Sequence, residues 1–170
     1  MTIDVSAILK EIGGRIDVDG FVTLSDTDFL GETYRFNAPV KVKGHISNNG
    51  KSLILKALCT GQMDTQCARC MKDITVPVEF EIDENLVRKG DEVSEDDDVI
   101  VFEDTGIDID DIAANSFLMN IEGKYLCQED CKGLCPQCGA DLNKGECGCQ
   151  EKAVDPRWSA LVDIMNKDNQ

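Results

Sequence analysis

Histidine is nearly missing from this chain, with His45 the single imidazole in 170 residues. General-base and zinc-hydrolytic sites draw first on histidine, and His45 stands beside Lys41 and Lys43 with no evident catalytic partner. Also absent are a glycine-rich phosphate loop, a Walker pattern and a serine elbow. These absences argue against an enzyme and against a small-molecule substrate. No apolar run reaches the length that crosses a bilayer. The start, Met1-Thr-Ile-Asp-Val-Ser6, has no basic region followed by an apolar stretch, so a cytoplasmic protein without a membrane partner is expected. Basic charge is scarce too. Residues 1–90 carry 11 Lys/Arg against 13 Asp/Glu, and residues 91–170 carry 6 against 20. Nucleic acids are held by Lys and Arg that displace phosphate counterions. A chain of net charge −16 is repelled by RNA unless it keeps a local basic patch. The charge suits a basic protein partner, or simply keeps the chain soluble.

What the chain does have is cysteine, nine in all, with six between Cys127 and Cys149. Buried free cysteines act as small hydrophobes and scatter through cores; these cluster in loop-forming sequence. Cys135-x2-Cys138-x8-Cys147-x-Cys149 offers four thiolates at short spacing, as tetrahedral zinc requires. Pro136 stiffens the first turn, and Gly139 and Gly148 permit positive φ where a metal-binding turn needs it. A second pair, Cys67-Ala-Arg-Cys70, lies far upstream. One partition joins it to Cys127 and Cys131 as a second four-sulfur site that ties a strand loop to the end of a helix. A rival shares one zinc between Cys67/Cys70 and Cys135/Cys138. Disulfides need an oxidising compartment and pair poorly with an odd count. Redox catalysis by Cys67 and Cys70 would want a helix N-terminus in a βαβ unit, which the sequence does not suggest. Four thiolates around one zinc leave no position for water, so such a site is structural. Cys59 sits in an apolar strand in step with Leu53, Leu55 and Ala57 and is assigned to the core.

Hydrophobic periodicity orders the rest. Ser6 can cap a short helix over residues 7–12, stopped by Gly13-Gly14. Residues 15–24 alternate as a strand. Val40, Val42 and Ile46 alternate with Lys41, Lys43 and His45; Asn49-Gly50 is a hairpin turn; residues 53–59 return antiparallel. Ile74, Val76, Val78, Phe80 and Ile82 share one face, and Pro77 marks an edge or an unpaired N–H. Residues 91–111 hold eleven acids and no base and read as an acidic loop, with a short strand at 99–102. Asp110 caps a helix from Asp111 to about Gly123. Asp155 and Pro156 open a last amphipathic helix with Trp158, Leu161, Val162 and Met165 on one face.

Several of these features occur together in one known family. Leu126-Cys-x3-Cys-Lys-Gly-Leu-Cys-Pro-x-Cys-Gly-Ala-Asp-Leu-Asn143, then Cys147-Gly-Cys149 and Asp155-Pro-Arg-Trp158, resembles the C-terminal half of the YceD family, the large ribosomal RNA subunit accumulation proteins. Cys67-Ala-Arg-Cys70 at a strand end and Ile107-Asp-Ile-Asp110 opening a helix are similar to features of that family. The resemblance implies a role in large-subunit ribosomal RNA accumulation or processing, hence in ribosome biogenesis, with a ribosomal protein or an rRNA precursor as partner.

The expectation is therefore an α+β protein, an antiparallel β-meander or open barrel with a few helices and a C-terminal cysteine-rich zinc module. Residues 1–123 would form the β-domain and 124–170 the zinc module with its terminal helix. Zn2+ is the expected cofactor, on Cys67, Cys70, Cys127, Cys131, Cys135, Cys138, Cys147 and Cys149. Lys41, Lys43, His45 and Trp158 are candidate contacts to RNA or a partner. The alternative is a thiol- or metal-responsive regulatory interaction protein.

Overall fold

The computed structural model describes residues 1–29, 31–91 and 98–149. The strands in chain order are β1 (Thr2–Asp4), β2 (Arg15–Val22), β3 (Thr27–Phe29), β4 (Glu32–Tyr34), β5 (Val40–Asn48), β6 (Leu53–Gln66), β7 (Asp73–Arg88), β8 (Ile100–Phe102) and β9 (Gly106–Asp108). One α-helix follows among the described residues, α1 (Ile109–Asn120). Two compact units divide after Cys131.

In the first unit, a five-stranded sheet runs in the order β2-β5-β6-β7-β8. The alternation read from the sequence is a real pleat. Along β5, Val40, Val42 and Ile46 are buried while Lys41 and Lys43 are exposed. Along β7, Val78, Phe80 and Ile82 are buried between exposed Pro77, Glu79, Glu81 and Asp83. Asn49-Gly50 lies in the β5–β6 turn, where Gly50 takes φ 91°. Asn48, buried at the strand end, donates from Nδ2 to Ile8 O at 2.6 Å and accepts from Gly50 N at 2.7 Å. That one amide ties the N-terminal turn to the hairpin and meets the demand that a buried polar group be bonded. Helix α1 packs on β7, and the Phe117 ring meets Tyr34, Phe36 and Phe80 with centroids 6.0, 5.0 and 5.8 Å away. Cys59 is fully buried in this core, and burial pushes its thiol up to about 12.

Three expectations need correction. The sheet is mixed: β8 joins β7 in parallel, Leu86 beside Ile100, and the eleven residues between Arg88 and Ile100 are too many for a tight hairpin turn. The expected form is a meander or an open barrel, and this sheet is not a closed one: β2 and β8 end its order. Residues 6–10 form turns in place of a helix; Asp4 accepts the Ser6 N–H at 2.9 Å, and six residues are too few to propagate a helix. The N-cap of α1 is Asp108, whose carboxylate accepts from Asp110 N at 3.0 Å. Asp110 instead binds the Met1 ammonium and accepts from Thr23 N. The last amphipathic helix, with Trp158, lies outside the described residues.

Candidate metal centres

The β6–β7 hairpin ends in Cys67-Ala-Arg-Cys70, and the chain leaving α1 returns to it. Ala68 N donates to Tyr125 O at 2.9 Å, and Arg69 Nη1 donates to Cys131 O at 2.7 Å. These bonds seat Cys127 and Cys131 over the hairpin end, with Ile74 and Leu126 packed around the sulfurs. The Sγ atoms of Cys67, Cys70, Cys127 and Cys131 all lie within 4.8 Å of one another. Cys67 Sγ is 3.8 Å from Cys131 Sγ, and Cys70 Sγ is 3.7 Å from Cys127 Sγ. Four thiolates around a zinc at about 2.3 Å sit at tetrahedral corners about 3.8 Å apart. A disulfide would need about 2.05 Å, and no disulfide joins any of the nine cysteines. Cys67 and Cys131 are almost fully buried, at 0% and 1% exposure.

The second group lies wholly in the unit that begins at Lys132. Cys135, Cys138, Cys147 and Cys149 bring their sulfurs within the same 4.8 Å. Side-chain caps shape the intervening loop: Lys132 N donates to Asn143 Oδ1 at 2.8 Å, and Asn143 N donates to Asp141 Oδ1 at 3.0 Å. Asn143 also donates from Nδ2 to Asp141 Oδ1 at 2.8 Å, and its side-chain and backbone bonds hold the Asp141 carboxyl below its usual range. From Lys132 to Cys149, only Gly133 and Cys135 are buried, so the described part of this unit has no apolar core. A loop without a core needs a crosslink to stay ordered.

The two Cys-x-x-Cys turns share one backbone design. In each, the N–H four residues after the first cysteine donates back to that cysteine's carbonyl: Met71 N to Cys67 O at 2.9 Å, Gly139 N to Cys135 O at 2.8 Å. In each, the first cysteine's N–H donates to the carbonyl five residues on: Cys67 N to Lys72 O and Cys135 N to Ala140 O, both 2.8 Å. The residue after the second cysteine has left-handed φ, 58° at Met71 and 73° at Gly139. Gly139 announces that conformation in the sequence and Met71 does not, so the equivalence of the turns was not legible.

The turns aim N–H groups at sulfur. Burial pushes the Cys67 thiol up, but N–H groups of Arg69, Cys127 and Cys70 outweigh it and hold the thiol at about 6. The N–H groups of Cys138 and Gln137 bring Cys135 to about 6, the latter from 3.5 Å. In each group a different thiol is driven to about 12: Cys127 by burial and then its neighbouring thiols, Cys149 by Cys138 and Cys147. One sulfur in each set ionises near neutrality while another resists, which is how four crowded thiols behave until a divalent cation lowers them together.

Lys41, Lys43 and His45 do lie on one solvent face, but not on a basic island. Their cross-strand neighbours on β2 are Phe21, Asp19 and Asp17, and on β6 Thr60, Leu58 and Lys56. Beyond those, β7 sets Glu79, Glu81 and Asp83. Lys56 is already spent on Asp83 at 2.9 Å. Acids flank the lysines on both sides because β2 and β7, far apart in sequence, bracket β5 and β6.

Comparison with known proteins places these features in context. Residues 55–165 match the family described as "Large ribosomal RNA subunit accumulation protein YceD". The uncharacterized protein YlbN of Bacillus subtilis (strain 168) is 30% identical over 155 residues, covering 91% of this chain and 90% of its own. An uncharacterized protein of Mycobacterium tuberculosis (strain H37Rv) is 31% identical over 107 residues, 61% of this chain and 51% of its own. No solved structure matches. Among the described residues, no helix is long and apolar enough to cross a membrane.

Proposed function

Since the chain belongs to the YceD family, the large ribosomal RNA subunit accumulation proteins, we propose that it is a non-enzymatic, cytoplasmic zinc protein that supports accumulation of large-subunit ribosomal RNA as an adaptor in ribosome assembly. The two four-sulfur groups carry this reading. Thiolate sets suit zinc, and a closed shell of four leaves no position at which water or substrate could be activated. Cys67, Cys70, Cys127 and Cys131 would fasten the β6–β7 hairpin to the chain after α1. Cys135, Cys138, Cys147 and Cys149 would organise the loop that follows. Zinc supplies crosslinking and charge neutralisation there, and the surfaces it orders dock a partner. The acid columns beside Lys41 and Lys43 favour a basic protein over RNA on that face.

Metal analysis of protein purified under reducing conditions tests the zinc. Two zinc ions per chain are expected, and a metal-free chain that keeps its fold would overturn the reading. In cells, deleting the gene should lower large-subunit rRNA relative to small-subunit rRNA, with rescue by the wild-type gene but not by Cys131→Ser.

A second reading, a thiol- or metal-responsive regulator, draws support from exposure of Cys138 and Cys149 to solvent. It requires peroxide to release zinc at doses that also change partner binding.

A further inference from the structure

Among the described residues, strand β7 has no strand partner along most of its outer side. It pairs with β6 from Asp73 to Leu86, but β8 meets it only at Leu86–Arg88. Among the described residues, no backbone hydrogen bond reaches the outer side of β7 from Asp73 to Asn85. Such a row of free N–H and C=O groups is a template for another strand.

Pro77 sets the parity of that template. Proline cannot donate to a ladder and is tolerated where its nitrogen faces outward. Residues in step with Pro77, namely Glu79, Glu81, Asp83 and Asn85, then offer their N–H and C=O groups to the open side. Their side chains are exposed on the solvent face. Three successive outward positions are therefore carboxylates. Asp83 is paired with Lys56, while Glu79 and Glu81 make no ion pair among the described residues.

We propose that the outer edge of β7, from Val78 to Asn85, binds an extended basic protein segment as an added strand. The free backbone would bind the segment's main chain, and Glu79, Glu81 and Asp83 would pair with Lys or Arg at every second position. A segment of eight residues spans the site, about 26 Å. Charge selects this occupant over a second copy: antiparallel self-pairing about Glu81 would set Glu79 against the other copy's Asp83 and Glu81 against Glu81, and like charges directly opposite oppose pairing. Charge also selects it over RNA, whose phosphates the same carboxylates repel. This deepens the adaptor reading above, and rests on it, by naming the chemistry of the partner.

The probe is a blocked, fluorescein-labelled ten-residue peptide alternating Lys and Val, titrated against the full chain by anisotropy. The result expected is binding that falls about tenfold in E79Q/E81Q/D83N. A peptide N-methylated at every residue keeps its charge but loses the ladder on both edges, and should lose binding altogether. Bound peptide should slow amide hydrogen exchange at Glu79, Glu81 and Asp83. Equal binding of the N-methylated peptide would overturn the added strand, as would protection mapping elsewhere, absence of binding, or equal affinity for a uridine decamer. The N-methylated arm needs no protein variant, so misfolding of the triple variant cannot blur the answer. A chain that binds the peptide yet contains no zinc would sink the zinc reading alone; a zinc-loaded chain indifferent to the peptide would sink this one alone.

Discussion

Substituting Cys127 by serine measures how much the first sulfur group holds the molecule together. Cys127 is the least buried of its four sulfurs, so the change opens no core cavity and acts on the crosslink. Bridging Cys70 to Cys127 closes a span of 57 residues. Denying the unfolded chain that loop's freedom is worth about 4 kcal/mol in the chain-entropy model, which a metal bridge shares with a disulfide. That is a large share of the total stability of an ordinary domain. A unit of about 130 residues has an unfolding entropy that converts 4 kcal/mol to about 15 °C in Tm. The assay is thermal unfolding by circular dichroism, for wild type and C127S, each with zinc and with excess chelator. Wild type should drop by about 15 °C in chelator, and C127S should already melt near the lower value and respond weakly. Equal melting of all four samples would show that the sulfurs sit together without a metal between them, and the crosslink would have to be abandoned.

Other consequences can be checked in the same way. Met71→Gly should raise stability by about 0.5–1 kcal/mol in urea unfolding, because glycine relieves the left-handed φ of 58° at an exposed position; Met71→Val should lower it. Gly44→Ala should destabilise by about 3 kcal/mol, since a Cβ there would stand 2.1 Å from Lys56 O and 2.4 Å from Ala57 Cα, both backbone atoms. Cys147→Ser should abolish one bound zinc and broaden amide signals from Lys132 onward while leaving those of β5–β7 unchanged. The Met1 amine hydrogen-bonds the Asp110 carboxylate, which raises it above its ordinary 8.0 against the cost of desolvation. Its stabilising contribution is thus complete below pH 8 and lost as pH rises through the higher folded value. An N-acetylated chain should melt lower than the free chain at pH 7, with the gap closing as pH rises.

Local information explains what could be read directly. Alternation in β5 and β7, the Asn49-Gly50 turn, the core place of Cys59 and the closeness of Cys135 to Cys138 each depend on residues within one strand or one turn. Periodicity and turn chemistry act over those distances, so the sequence alone determined them. It also determined that sulfur clusters are present, and it bore the marks of the family.

Tertiary structure decided everything that joins distant segments. Spacing allowed Cys67 and Cys70 to be grouped in more than one way; only the meeting of the β6–β7 hairpin with the chain leaving α1 set them beside Cys127 and Cys131. The lysines of β5 read as a basic stripe in one dimension and lie between carboxylates in two, because β2 and β7 are brought alongside by pairing that no local pattern encodes. Met71 holds a glycine's conformation because two sulfur-bearing turns with the same hydrogen bonds demand it. Among the described residues, the outer edge of β7 is left open because β8 is three residues long and pairs at one end. Each of these is a matter of which surfaces meet, and that follows from the summed burial of the whole chain, not from any single stretch of it.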